Sequence, residues 1–120
     1  MTLVDRLRFS RAQRLSGREA FARVFAAKCS SASGCVIVYA IANELEVSRL
    51  GLSVGRKHGG AVRRNRIKRL IREAFRLERP GLPAGLDVVV VPRAGVEWTL
   101  EKTRSSLVAA MRLVEKRCKR

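Results

Sequence analysis

The sequence predicts one α+β domain in which helices pack on one face of a small sheet. Three observations lead there. The chain has 120 residues, long enough for a single hydrophobic core and too short for two. Its apolar pattern runs helix, strand, strand, helix, strand, helix, an order that lays helices against a sheet. Hydrophobic residues make up 47% of the chain and aromatic ones only 5%, so an aliphatic core is expected in a chain that folds rather than stays disordered.

The domain spans residues 1–120, and its first part, 1–15, reads as an irregular basic arm carrying Arg6, Arg8, Arg11 and Arg14. Ser16 and Glu19 have capping-box spacing, a hydroxyl followed three residues later by a carboxylate. They open a helix over 17–27 whose Phe21, Val24 and Phe25 share one side. Residues 30–34 read as a loop, and 35–42, rich in β-branched side chains, as a strand. A turn at 43–46 leads to a second strand at 47–54, where Leu50, Leu52 and Val54 alternate. A basic, glycine-containing loop at 55–60 precedes a long helix over 61–79, which Pro80 stops. A loop at 81–85, a strand at 87–91 and a last helix at 100–117 complete the order. Leu107, Val108, Met111 and Val114 form that helix's apolar stripe.

Charge narrows the function. Lys and Arg total 26 against 10 Asp and Glu, a net charge of +16. Self-repulsion at that charge destabilises a compact chain, and a polyanionic partner removes it. Nucleic acid is the first candidate and an anionic membrane surface the second. No apolar run approaches the roughly 20 residues of a bilayer span, and residues 1–18 lack the apolar stretch of a secretory signal. Three cysteines, Cys29, Cys35 and Cys118, are an odd number. That argues against a disulfide framework and for reduced thiols in the cytoplasm. With His58 the sole histidine and no C-x-x-C spacing, no metal site is expected on the protein.

The long helix separates its residue types. At about 100° per residue, Ile67, Leu70, Ile71, Ala74 and Phe75 fall on one stripe. Asn65, Lys68, Arg69, Arg72, Arg76 and Arg79 fall on the opposite side. Glu73 can pair with Arg69 or Arg66, which leaves most of the band unneutralised. Like charges at these spacings repel by a few tenths of a kcal/mol per pair. A phosphate backbone laid along them removes that cost and releases counterions. The preceding Gly55-Arg56-Lys57-His58-Gly59-Gly60 segment puts cations and mobile backbone at a helix N-terminus. It lacks a Walker-type phosphate-loop pattern.

At these residues the chain resembles the bacterial ribonuclease P protein. The segment from Lys57 to Arg76, with Arg64-Asn65-Arg66 as its R-N-R core, carries the resemblance. Leu50-Gly51-Leu52-Ser53-Val54, the Phe21 and Phe25 pair and Tyr39 extend it through most of the chain. The resemblance implies a two-layer α/β sandwich with a small mixed sheet and a left-handed β-α-β crossover through the basic helix (ribosomal protein S5 domain 2-like), where handedness rules alone favour a right-handed one. It also implies two RNA-facing surfaces, one for the catalytic RNA subunit and one for the 5′ leader of precursor tRNA. The first would use Arg56, Lys57, Arg63, Arg64, Asn65, Arg66, Lys68, Arg69, Arg72 and Arg76. The leader would meet Phe21, Phe25 and Tyr39, together with Asn65, Arg69 and Arg72. The expected partners are therefore the catalytic RNA and precursor tRNA, with no membrane and no small-molecule substrate.

Aromatic rings stack on unpaired bases without demanding a sequence; for Phe25 that role and plain core packing stand level. No set of residues offers itself for protein-based hydrolysis: there is one histidine and no D-x-D arrangement. The resemblance implies cleavage by Mg2+ bound mainly to the RNA, with the protein a subunit of an endoribonuclease and no protein catalytic residues. A structural rRNA-binding protein of ribosomal type is the rival reading, sharing charge and salt dependence.

Overall fold

The computed structural model describes residues 13–118. Helix α1 (Arg18–Ala26) is followed by strands β1 (Ser30–Ser33), β2 (Val36–Ala42) and β3 (Arg49–Leu52). Then come helix α2 (Ala61–Glu78), strand β4 (Leu86–Pro92) and helix α3 (Leu100–Cys118). Short 3-10 turns at Arg56–His58 and Arg79–Gly81 flank α2. The sheet order is β1-β2-β4-β3, with β3 parallel to β4 and the other pairs antiparallel. The mixed sheet and the β3–α2–β4 crossover are as expected.

Helices lie on both faces of the sheet, not on one. Val36, Val38 and Ala40 of β2 and Leu86, Val88 and Val90 of β4 pack against α2 and α3. Phe75, Ile71 and Met111 are the largest wholly buried helical side chains in that core, together with Ile67 and Leu107. The alternate residues point the other way, and Val89 joins Val24 of α1 and Leu15 in a second, smaller cluster. The unbroken run Val88-Val89-Val90 was the sequence signal: a strand apolar on both sides needs a cover on both. The strand is buried from Leu86 through Val90.

Four further readings change. Residues 30–33 form strand β1 rather than a loop, paired to β2 from Ser30↔Tyr39 to Ser33↔Val36. Serine has poor strand propensity, and the tight turn at Gly34 (φ 52°) imposes the pairing instead. The capping box is not formed: Gly17, at φ 94°, is the N-cap of α1, and no side chain caps it. Glu73 pairs with Arg76, three residues on, rather than with Arg69 or Arg66. Cys29 and Cys118 are joined in a disulfide across 89 residues of sequence, with Cα atoms 6.1 Å apart. Cys35 remains free and buried. The odd count held no information about this pair, because only the return of α3 along the sheet brings its last residue to the start of β1. Of the basic arm, residues 1–12 lie outside the described residues; Arg14 forms a parallel bridge with Leu50, and Leu15 N donates to Leu50 O at 2.9 Å.

On the α1 side, Asp87 accepts from Arg49 Nε and Nη2 at 2.7 and 2.6 Å and from Asn43 Nδ2 at 2.9 Å. Burial alone would push the Asp87 carboxyl up, but the Arg49 and Asn43 hydrogen bonds and the Arg49 charge outweigh it. They hold the carboxyl below its ordinary value of 3.8. A carboxylate depressed in the folded state adds stability that is complete above the unfolded value and disappears as pH falls through the folded one. Arg49→Ala is therefore expected to cost about 1–2 kcal/mol near pH 7. In urea melts that cost should shrink as pH is lowered below 3.8 and through the depressed folded-state value, where Asp87 protonates; a cost independent of pH would rule out this role for the pair.

Candidate nucleic-acid interface

The two sides of α2 do different work. Ile67, Ile71, Ala74 and Phe75 are buried, and Leu70 is partly buried against the same core. Their 3.6-residue spacing forces Asn65, Arg69 and Arg72 outward, where all three are exposed, with Lys68 and Arg76 half-buried beside them. The helix has two acids, and both are engaged. Glu73 binds Arg76, and Glu78 accepts from Arg104 of α3 at 2.7 Å. The Arg76 hydrogen bond holds the Glu73 carboxyl below its ordinary value. No carboxylate ion-pairs with Arg63, Arg64, Arg66, Lys68, Arg69 or Arg72 among the described residues.

Two depressions flank the band. The larger, about 550 Å³, gathers Arg14, Arg66, Arg69, Arg72 and Arg76 around the apolar floor of Leu70 and Leu100. Arg66 is braced there by donating Nη2 to Trp98 O at 3.3 Å. The smaller, about 250 Å³, lies between α2 and α1, lined by Lys68 and Arg72 on one side, Phe21 on the other, and Leu50, Gly51 and Leu52 beneath. Arg14 and Arg72 line both. Partial loss of hydration within the depression first, and the neighbouring Arg14 next, pull the guanidinium of the otherwise exposed Arg72 below its ordinary value. Crowded cations of this kind favour an anion between them.

Phe21 is half-buried and lies over Gly51: a Cβ on Gly51 would stand 2.6 Å from Phe21 Cζ and 3.3 Å from Leu15 Cβ. Only glycine lets the ring settle on the strand. One helical turn on, Phe25 is 37% exposed. Its ring meets Tyr39 edge-on, with centroids 4.9 Å apart and planes at 65°. Phe25 is thus not a core position of α1; that place is taken by Val24, which is wholly buried.

The structure thus brings Phe21, Lys68 and Arg72 to one depression and Arg66, Arg69, Arg72 and Arg76 to another. Asn65 is exposed and lines neither. Arg56 and Lys57 are exposed on the 3-10 turn. Arg63 lies in the first turn of α2 just after it, its stem packed so close to Gly59 (φ 118°) that a Cβ there would lie 2.6 Å from Arg63 Cδ. Arg64 sits about 60° from Ile67 by helical geometry, at the edge of the apolar stripe; it is half-buried, and its Nε has no hydrogen-bond partner. His58, on the same 3-10 turn, is buried with Nε2 unpartnered. Burial, then Lys57 and Arg63, lower its pKa and favour the neutral ring. Sequence reasoning did not assign Arg14, Leu15 and Gly51 to the site. Arg14 lay in a stretch without periodicity, and nothing but the close approach to Phe21 marks Gly51.

Comparison with known proteins gives a consistent answer. Residues 9–118 match the family model described as Ribonuclease P. The chain is 42% identical over 104 residues to the ribonuclease P protein component of Brevibacillus brevis, covering 85% of this chain and 82% of that one. Identity to the ribonuclease P protein component of Thermotoga maritima is 39% over 94 residues, covering 78% and 80%. The RNase P protein of Staphylococcus aureus superposes with a TM-score of 0.77 at 32% identity, over 88% of this chain and 97% of that one.

Proposed function

This chain belongs to the ribonuclease P protein family, and from that premise we propose that it is the protein subunit of a ribonucleoprotein that removes the 5′ leader of precursor tRNA. In this reading the catalytic RNA lies along Arg56, Lys57 and the basic side of α2. The single-stranded leader crosses the depression between α2 and α1 and passes Phe21, Phe25 and Tyr39. The observation that carries it is the junction of two chemistries: Arg72 and Lys68 face Phe21 across one groove. Cations there hold phosphates while a ring is positioned to stack on bases.

The protein's part is electrostatic. It screens RNA strands from each other and holds the leader, which raises local affinity for divalent cations at the RNA junction. The band itself is a poor magnesium site. Magnesium takes hard oxygen ligands, and the two carboxylates of α2 are already bound by Arg76 and Arg104. The metal is accordingly assigned to the RNA, as is the bond cleavage. No described helix is long and apolar enough to cross a membrane, and the proposed place of work is the cytoplasm, where precursor tRNA is made and where a disulfide such as Cys29–Cys118 is uncommon.

Reconstitution tests the reading. With ribonuclease P RNA and precursor tRNA at low magnesium, the protein is expected to stimulate cleavage by at least about tenfold, the equivalent of about 1.4 kcal/mol. Binding to ribosomal RNA without stimulation would sink it in favour of a ribosomal role, and cleavage by the protein alone would sink the assignment of chemistry to RNA.

A further inference from the structure

We infer that Lys28 and Arg117 form a second cationic station for single-stranded RNA, beyond the Phe25–Tyr39 pair, held in place by the Cys29–Cys118 disulfide. The inference rests on the leader reading above and extends it to nucleotides farther from the cleavage point.

The covering of the sheet by α1 stops short of its β1 edge. Phe25 is 37% exposed, Tyr39 is half-buried, and Ala32 is open to solvent. Tyr39 stands opposite Ser30 in the β1–β2 register, so one strand spacing, about 4.8 Å, leads from the tyrosine to the sheet edge. At that edge the Arg117 guanidinium donates Nη1 to Ser30 O. Guanidinium has five N–H donors in a fixed fork, and this single contact orients the group while leaving donors for an anion.

The disulfide is what brings the second cation there. Cys29 adjoins Lys28 and Cys118 adjoins Arg117, and their Cα atoms lie 6.1 Å apart. One covalent bond therefore fixes the backbone of both basic residues, one from the end of α1 and one from the end of α3. Lys28 also adopts a positive φ of 53°, a conformation glycine reaches without strain and lysine does not. A long cation stands where backbone geometry alone would favour its absence. Both side chains are exposed, and neither pairs with a carboxylate among the described residues.

The chemistry of the ligand completes the case. An oligonucleotide whose bases lie on Phe21 and Phe25 must carry its phosphates past both ends of that aromatic track. Lys68 and Arg72 serve one end, and Lys28 with Arg117 lie at the other. Recognition there is of backbone charge, without preference for base.

The test uses reconstituted holoenzyme and three substrates: mature tRNA, precursor with a leader ending at the aromatic pair, and precursor with a longer leader. Wild type should bind the longer leader about three- to tenfold more tightly than the shorter one. Lys28→Gly with Arg117→Ala should erase that increment and flatten the salt slope for the longer leader by about 1.4, two single-strand phosphate contacts. Affinity for the shorter leader should hold. Glycine suits the local φ, so a folding defect would not mimic this pattern. An increment that survives in the double variant overturns the inference, and one that survives Cys29→Ser with Cys118→Ser overturns the part given to the bridge. If wild type gains nothing from any leader over mature tRNA, the leader reading itself fails.

Discussion

Arg69→Ala combined with Arg72→Ala is expected to weaken binding to ribonuclease P RNA by about 2–4 kcal/mol, from two charge-assisted contacts. Both residues are exposed, and both line the depression that also holds Arg14 and Arg66. The loss should carry a signature. Each phosphate contact contributes about 0.9 to the slope of log affinity against log salt, so the double variant should be shallower by about 1.8. Thermal stability should barely move, since surface substitutions of this kind stay within about 0.5 kcal/mol. Weakened binding at an unchanged salt slope would mean that these cations do not touch phosphate, and the proposed RNA face would have to be abandoned.

Phe21→Ala should lower holoenzyme affinity for leader-bearing precursor by about 1–3 kcal/mol, the worth of one base stacked on a ring. Affinity for mature tRNA is expected to stay near that of wild type. Gly51→Val probes the same ring from below. A Cβ on Gly51 would come within 2.6 Å of Phe21 Cζ, so the ring must lift from the strand. Stability should then fall by about 1–3 kcal/mol from overpacking, with leader affinity reduced alongside. Equal losses for precursor and mature tRNA in Phe21→Ala would show that the ring supports the fold and contacts no base.

Much of this was legible in the residues themselves. The buried and basic sides of α2 follow from a 3.6-residue period that any reader can lay out, and the engaged core positions Ile67, Ile71, Ala74 and Phe75 are those the period names. Helix and strand order was legible for the same reason, since apolar spacing is a local property. The errors share a cause as well. Strand β1 has a serine-rich sequence and exists because β2 lies beside it. The failed capping box at Ser16 reflects Gly17, whose φ of 94° places the cap one residue later.

What the sequence by itself determined is the make-up of the candidate interface: a one-sided band of cations on an amphipathic helix, with aromatic residues upstream. Periodicity and charge are written in the order of residues and need no knowledge of distant neighbours. Tertiary structure alone decided the rest. It laid α1 on the far side of the sheet, seated Phe21 on Gly51 opposite Arg72, and joined Cys29 to Cys118. Each of these is a meeting of segments remote in sequence. Such meetings depend on how two apolar faces of one strand are each buried, which a linear pattern implies but does not place.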